Sequence, residues 1–211
     1  MQTAGRGRRG RAWSTERGNL AATLLMSTER TPAEAAQVSF VAALAVADLV
    51  GRYVPESLVR LKWPNDVLVG GGKVSGVLIE SGPREGGGLW LALGVGVNLA
   101  HAPGGTERPA TCVAAHLRAD RTSPPEPEEA VAVLADAFAH RTALWNSQGF
   151  PAVVSAWTAR ADLGGRVTAR LPSETLEGVA EALEPDGALR LRLDDGALRR
   201  VTAGDVFPVA A

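Results

Sequence analysis

The segment from Thr31 to Val50 limits the fold of this chain more than any other. After its first turn only Gln37, Ser39 and Asp48 interrupt a run of Ala, Val, Leu and Phe. A helix that is apolar on nearly every side must be covered on nearly every side. Thr31-Pro32-Ala33-Glu34 supplies its start: Thr31 caps, Pro32 occupies the first turn and Glu34 closes a capping box. The polar interruptions favour a helix packed against a sheet, and no run approaches the roughly 18 apolar residues of a membrane span. The cover is written on both sides of it. Asn19 to Ser27 reads as a short buried strand, and strand-like runs follow at Leu58 to Trp63, Asp66 to Val69, Val74 to Glu80 and Leu89 to Leu99. Glycine-rich turns separate them, which suits one mixed or antiparallel sheet. Residues 101 to 110 form a Pro/Gly loop, and helices over Pro127 to Trp145 and Pro151 to Arg160 cover the sheet.

The pattern changes at Asp162-Leu163-Gly164. Short alternating runs then recur between Pro-Ser, Pro-Asp-Gly and Asp-Asp-Gly turns, the spacing of a small five-stranded barrel. The expectation is an α+β chain with a larger domain over 1–161 and a smaller one over 162–211. With 211 residues, 45% of them hydrophobic, it can bury a full core. The single cysteine, Cys112, excludes an intramolecular disulfide and fits a reducing, cytoplasmic setting. Neither a secretory signal nor a membrane partner is expected. A formal net charge of −1 argues against holding nucleic acid through the global field.

Local charge is uneven. Gly5 to Arg11, GRGRRGR, carries four arginines and no acid, and the only lysines are Lys62 and Lys73. Glycines at 5, 7 and 10 let backbone N–H groups approach an anion while Arg6, Arg8, Arg9 and Arg11 bring cationic forks, as a phosphate-binding loop requires. The same stretch alone would also suit a flexible RNA-binding arm. Lys62-Trp63-Pro64-Asn65-Asp66 follows a strand, and Pro64 ends the ladder so that Asn65 and Asp66 start a tight turn at a sheet edge. Taken alone, that is equally a common turn. Lys73 opens a strand with Gly76 three residues on, and Leu93 to Asn98 sets Gly94 and Gly96 on one face of another. Such a bare face beside Asn98 can take a flat ring or an apolar tail, although a strand bend gives the same pattern. His101, His116 and His140 lack ligand spacing.

In this order, GRGRRGRxW, KWPND, KxxGxxxE and GxGxN resemble the biotin protein ligase family over nearly the whole chain. The resemblance implies a class II synthetase-like catalytic domain, its mixed or antiparallel sheet covered by helices, and a small SH3-like β-barrel at the C-terminus. It implies a ligase that makes biotinyl-AMP from biotin and ATP, with Mg2+, and passes biotin to a lysine of a carboxylase's biotin carrier domain. Arg6, Arg8 and Lys73 would be the catalytic cations. Gln2, Gly5, Arg6, Lys73 and Gly76 would bind biotin; Arg8, Trp13, Lys62, Asn65, Asp66 and Asn98 would bind the nucleotide, with Asn65 and Asp66 also near its metal.

The family usually has an upstream strand and helix with a Ser-Thr motif, and the chain begins after that point, so weak activity of residues 1–211 by themselves is expected. No helix-turn-helix of the repressor type is read, and a homodimer is compatible with the resemblance. The rival readings are a lipoate or octanoate ligase, an RNA-binding module and a catalytically inactive binding subunit.

Overall fold

A computed structural model describes residues 2–209. The elements of the larger unit are β1 (Leu20–Thr28), α1 (Pro32–Ala35), α2 (Val38–Gly51), β2 (Val59–Lys62), β3 (Asp66–Val69), β4 (Gly72–Pro83), β5 (Leu89–Val97) and α3 (Pro127–Thr158). The five strands form an antiparallel sheet in the order β1-β5-β4-β3-β2. The choice between mixed and antiparallel is thereby resolved. Thr31 and Glu34 make the expected capping box at α1.

One sheet face carries Val77, Leu93, Val95 and Val97 into the core, where α2 lies between the sheet and α3. Leu44, Val46 and Leu49 of α2 are almost wholly buried. Emptying such a position, as in Leu44→Ala, costs about 2–5 kcal/mol through lost transfer energy and the cavity left behind. Contrary to the sequence expectation, the stretch Pro32–Gly51 is long and apolar enough to cross a membrane, with 20 residues at a mean hydropathy of 1.6. Its apolar surface is covered instead by the sheet and α3, with 67% of the most apolar window buried.

Three further readings need correction. β1 is not a buried strand: it is the last strand of the sheet, its side chains after Leu20 alternate between exposed and partly buried, and Leu25 is 75% exposed. An apolar composition did not reveal that one face of it lacks cover. The two helices read over this stretch are present, but no connector separates them: they meet at Gly149, whose φ of 74° breaks the helical path just before Pro151. Asp66 does not lie in the turn after Pro64 but opens β3, paired with Lys62, because the tight reversal is completed by Trp63, Pro64 and Asn65.

The smaller unit holds β6 (Arg166–Arg170), β7 (Thr175–Leu183), β8 (Leu189–Arg192), β9 (Leu198–Val201) and β10 (Asp205–Pro208). They form a second antiparallel sheet in the order β10-β6-β7-β8-β9, whose ladder ends at β9 and β10. The two sheets are tied together. Leu61 donates its N–H to the Arg160 carbonyl and accepts from Asp162, and the Trp63 indole donates to the Gly187 carbonyl at 2.9 Å. Gly187 is required there, since a Cβ would come within 2.9 Å of the Phe40 ring, itself packed edge-on against Phe150 and Trp157.

Candidate active site

The other face of the first sheet is stripped of bulk along one row. Register pairs Lys62 with Asp66, Asp66 with Gly76, Gly76 with Gly96 and Gly96 with Ala21, so one row of side chains crosses all five strands. Directly paired residues share a face, and this row runs from a cation through a carboxylate to two glycines and an alanine. Residues 5–13 fold over it. Trp13 donates its N–H to the Gly5 carbonyl at 2.9 Å, and Gly7 donates to the Arg11 carbonyl at 2.7 Å. The Trp13 indole lies on Gly96, where a Cβ would sit 2.3 Å from Nε1. Floor and loop enclose a cavity of about 1050 Å³.

Two of the carboxylates at this cavity, Asp66 and Asp205, gather the cations around them, while Glu16 and Glu107 also line it. Asp66 receives Lys73 on Oδ1 at 2.5 Å, and Lys62 at 2.7 Å and Arg108 at 3.1 Å on Oδ2. Asp205, at the start of β10, receives Arg11 at 2.9 Å, Arg9 at 3.3 Å and Arg8 at 3.8 Å. Burial alone would raise the Asp66 carboxyl, but the adjacent Lys62 and Lys73 ammonium groups hold it well below the usual range. Burial lowers Lys62 to about 8 despite the attraction of Asp66. Burial also depresses Arg8 and Arg108, against the pull of Asp205 and Asp66 respectively. With Glu16 and Glu107 counted, the lining still sets seven Lys and Arg side chains against four carboxylates, a net positive cavity suited to a polyanion.

Gln2, Arg6, Arg8, Trp13, Lys73 and Gly76 all line this cavity, as do Lys62, Asn65, Asp66 and Asn98. Lys73 Nζ lies 5.7 Å from the Trp13 ring, so the second lysine and the glycine-arginine loop meet over the same floor. Gly5 is the exception. It is not part of the lining and closes the neck of the loop, where a Cβ would collide with the Trp13 carbonyl at 2.2 Å. Gly76 passes beneath Lys73, with room for a Cβ only 3.1 Å from Nζ. Lys62 is turned inward, its ammonium 3.3 Å from the Val206 carbonyl as well as on Asp66. Asn65 donates to the Val77 carbonyl. Asn98 donates to the Thr111 carbonyl at 3.0 Å and leaves its buried Oδ1 without a partner.

Both Asp66 oxygens are occupied by cations, and among the described residues no three His, Cys, Asp or Glu side chains gather as metal ligands. The residues present do not fit a resident metal. Two residues of consequence were not singled out from the sequence. Arg108 sat in a loop read only as Pro/Gly-rich, and Asp205 lies 194 positions from its partner Arg11. A rare signal did exist for Arg108, a cation within an otherwise small and polar segment.

Comparison with known proteins gives this geometry its relatives. Residues 1–98 match the Biotin/lipoate A/B protein ligase family, and residues 162–207 match the Biotin protein ligase C terminal domain. A biotin–acetyl-CoA-carboxylase ligase of Paracoccus denitrificans is 41% identical over 209 residues, covering 98% of this chain and 87% of the relative. The fold superposes on a biotin protein ligase of Aquifex aeolicus solved with biotin and ATP, with a TM-score of 0.81 at 23% identity over 100% of this chain and 86% of that one. A Leishmania major biotin protein ligase solved with biotinyl-5-AMP gives a TM-score of 0.62 at 25% identity, covering 96% and 85%.

Proposed function

The chain belongs to the biotin protein ligase family, and on that premise we propose that its cavity joins biotin to ATP by neutralising charge above a glycine floor. The protein activates biotin with ATP and transfers it to a carboxylase. A biotin carboxylate oxygen attacks the α-phosphorus, the bond to the β-phosphate breaks, and pyrophosphate leaves. The amine of an acceptor lysine then attacks the acyl carbon, gives up a proton, and releases AMP.

Both reactants of the first step are anions, so the main barrier is electrostatic, and preorganised cations lower it without any enzyme nucleophile. Lys73 meets the biotin carboxylate and the α-phosphate, while Arg6 and Arg8 bear on the phosphates from the loop. Gly76 keeps the floor low under Lys73 beside the biotin tail, Gly96 seats the Trp13 indole that shields the ligand, and Gln2 hydrogen-bonds biotin. Asn98 offers an unpaired carbonyl oxygen to the exocyclic amine of adenine. Lys62 and Asn65 act from beneath by holding Asp66 and the β4 backbone. Magnesium belongs to the nucleotide substrate and enters with its phosphates. The second sheet is read as an SH3-like barrel beginning at Asp162, and the setting as cytoplasmic.

The observation that carries the reading is the surplus of cations on Asp66 and Asp205 facing that bare floor. Isotope exchange between ATP and pyrophosphate should depend on biotin, and a carboxylase carrier domain should gain the mass of one biotin. Exchange without biotin, or none with it, would remove the reading.

A further inference from the structure

Arg108 is a cavity cation that the mechanism above does not use. Its loop is pinned beside Lys73: the Lys73 N–H donates to the Pro109 carbonyl at 2.8 Å, and Thr111 donates back to the Lys73 carbonyl at 3.0 Å. The guanidinium carbon lies over the Phe207 ring, 3.9 Å from its centroid, with that of Arg170 4.2 Å from the same centroid. Only Nη1 has a partner, Asp66 Oδ2. Nε and Nη2 are buried and donate to nothing. Unpaired buried donors on a charged group cost free energy, and Asp66 already holds two ammonium groups. The ligand-free pose is therefore one that an entering anion can improve.

We propose that Arg108 is a phosphate-binding residue for the β- and γ-phosphates of ATP, and hence for the pyrophosphate that leaves. Lys73 and Arg108 hold opposite oxygens of one carboxylate, so their heads are spaced for neighbouring phosphoryl groups of one chain. With Lys73 at the α-phosphate, Arg108 serves the next ones. The idle Nε and Nη2 form one edge of the planar fork, the edge that pairs with two phosphate oxygens at once. A small turn of the guanidinium over Phe207 brings that edge out, and Asp66 gives up the longest of its three ion pairs. This assignment rests on the ligase reading.

The test is calorimetric titration of the full chain with magnesium pyrophosphate and, separately, with AMP, comparing wild type, Arg108→Ala and Arg108→Lys. Loss of a charged fork should weaken pyrophosphate by about tenfold or more in Arg108→Ala, while AMP stays within about twofold. Arg108→Lys, with a point charge in place of the fork, should fall between. Equal pyrophosphate affinity in wild type and Arg108→Ala would overturn the assignment, as would a parallel loss of AMP. If Arg108→Ala melts early, Arg108→Lys decides by the same ratio of pyrophosphate to AMP. Failure of biotin-dependent exchange in the wild type would count against the ligase reading, and the pyrophosphate comparison would still decide on Arg108.

Discussion

Asp48 on α2 and Asp66 on β3 are both carboxylates held by several cations, yet their surroundings balance differently. Arg141 grips Asp48 with two hydrogen bonds at 2.7 and 2.8 Å, and Arg160 bridges Asp48 to Glu56 at 2.6 and 3.0 Å. Two acids meet two bases, and the cluster ties α2 to α3 with nothing left over. In the cavity Asp66 and Asp205 meet Lys62, Lys73, Arg108, Arg8, Arg9 and Arg11. A neutral cluster is complete in itself, whereas a cluster with surplus charge is complete only with an anion. The imbalance, more than any single ion pair, separates a functional site from a structural clamp.

Removing a surplus cation should therefore harm chemistry and spare the fold. Lys73→Ala is expected to lower biotin-dependent pyrophosphate exchange by about 100- to 1,000-fold with little change in Tm; a loss under about tenfold would contradict the comparison. Asp48→Ala should do the reverse. It strands two partly buried guanidinium groups, and discounting a buried-pair loss for solvent access gives about 2 kcal/mol of stability. Denaturant midpoints would measure it, with the exchange rate of the folded fraction unchanged. Gly96→Ala sharpens the role of the floor: its Cβ overlaps the Trp13 indole, so the KM for ATP should rise about tenfold while biotin affinity holds.

The smallest effects are expected from pH, and they lie on opposite sides of neutrality. Lys62, lowered to about 8, loses its proton as pH rises through that value, and nucleotide affinity should fall about threefold as one charge leaves the cavity. Its effect on folding has the other sign. The unfolded ammonium stays charged up to 10.5, so stability from this group increases between the two values. For Asp48 the Arg141 and Arg160 hydrogen bonds outweigh burial and depress the carboxyl. Its stabilisation is present above 3.8 and is lost as acid protonates the folded form. Asp66 shares that acid limb. ATP titrations and denaturation midpoints against pH would show whether the two clusters separate in this way.

Residues near in sequence were the ones a reader of the sequence could assemble. The capping box at Thr31, the strand content, the bare positions Gly76 and Gly96 and the two lysines rest on local spacing, and local spacing survives folding. Asp66 was recognised but put in the wrong local place, because residue types do not say which member of a Pro-Asn-Asp turn starts the next strand. Asp205 and Arg108 went unnoticed for a different reason. Their partners come from other elements, and no periodicity links Arg11 to a carboxylate 194 residues later. Leu25 had a third cause: an edge strand and an inner strand share one composition, and only sheet order tells them apart.

Asp205 and Phe207 lie in β10, the last strand described, yet they fasten the loop of residues 8–11 and the guanidinium of Arg108. On the ribosome this loop must wait for a carboxylate 194 residues later before its clasp exists. A polypeptide released early would carry every glycine and lysine of the floor and still lack the fasteners that shape it. The order of synthesis thus makes this cavity a late event, and interrupted translation products are left without its assembled rim.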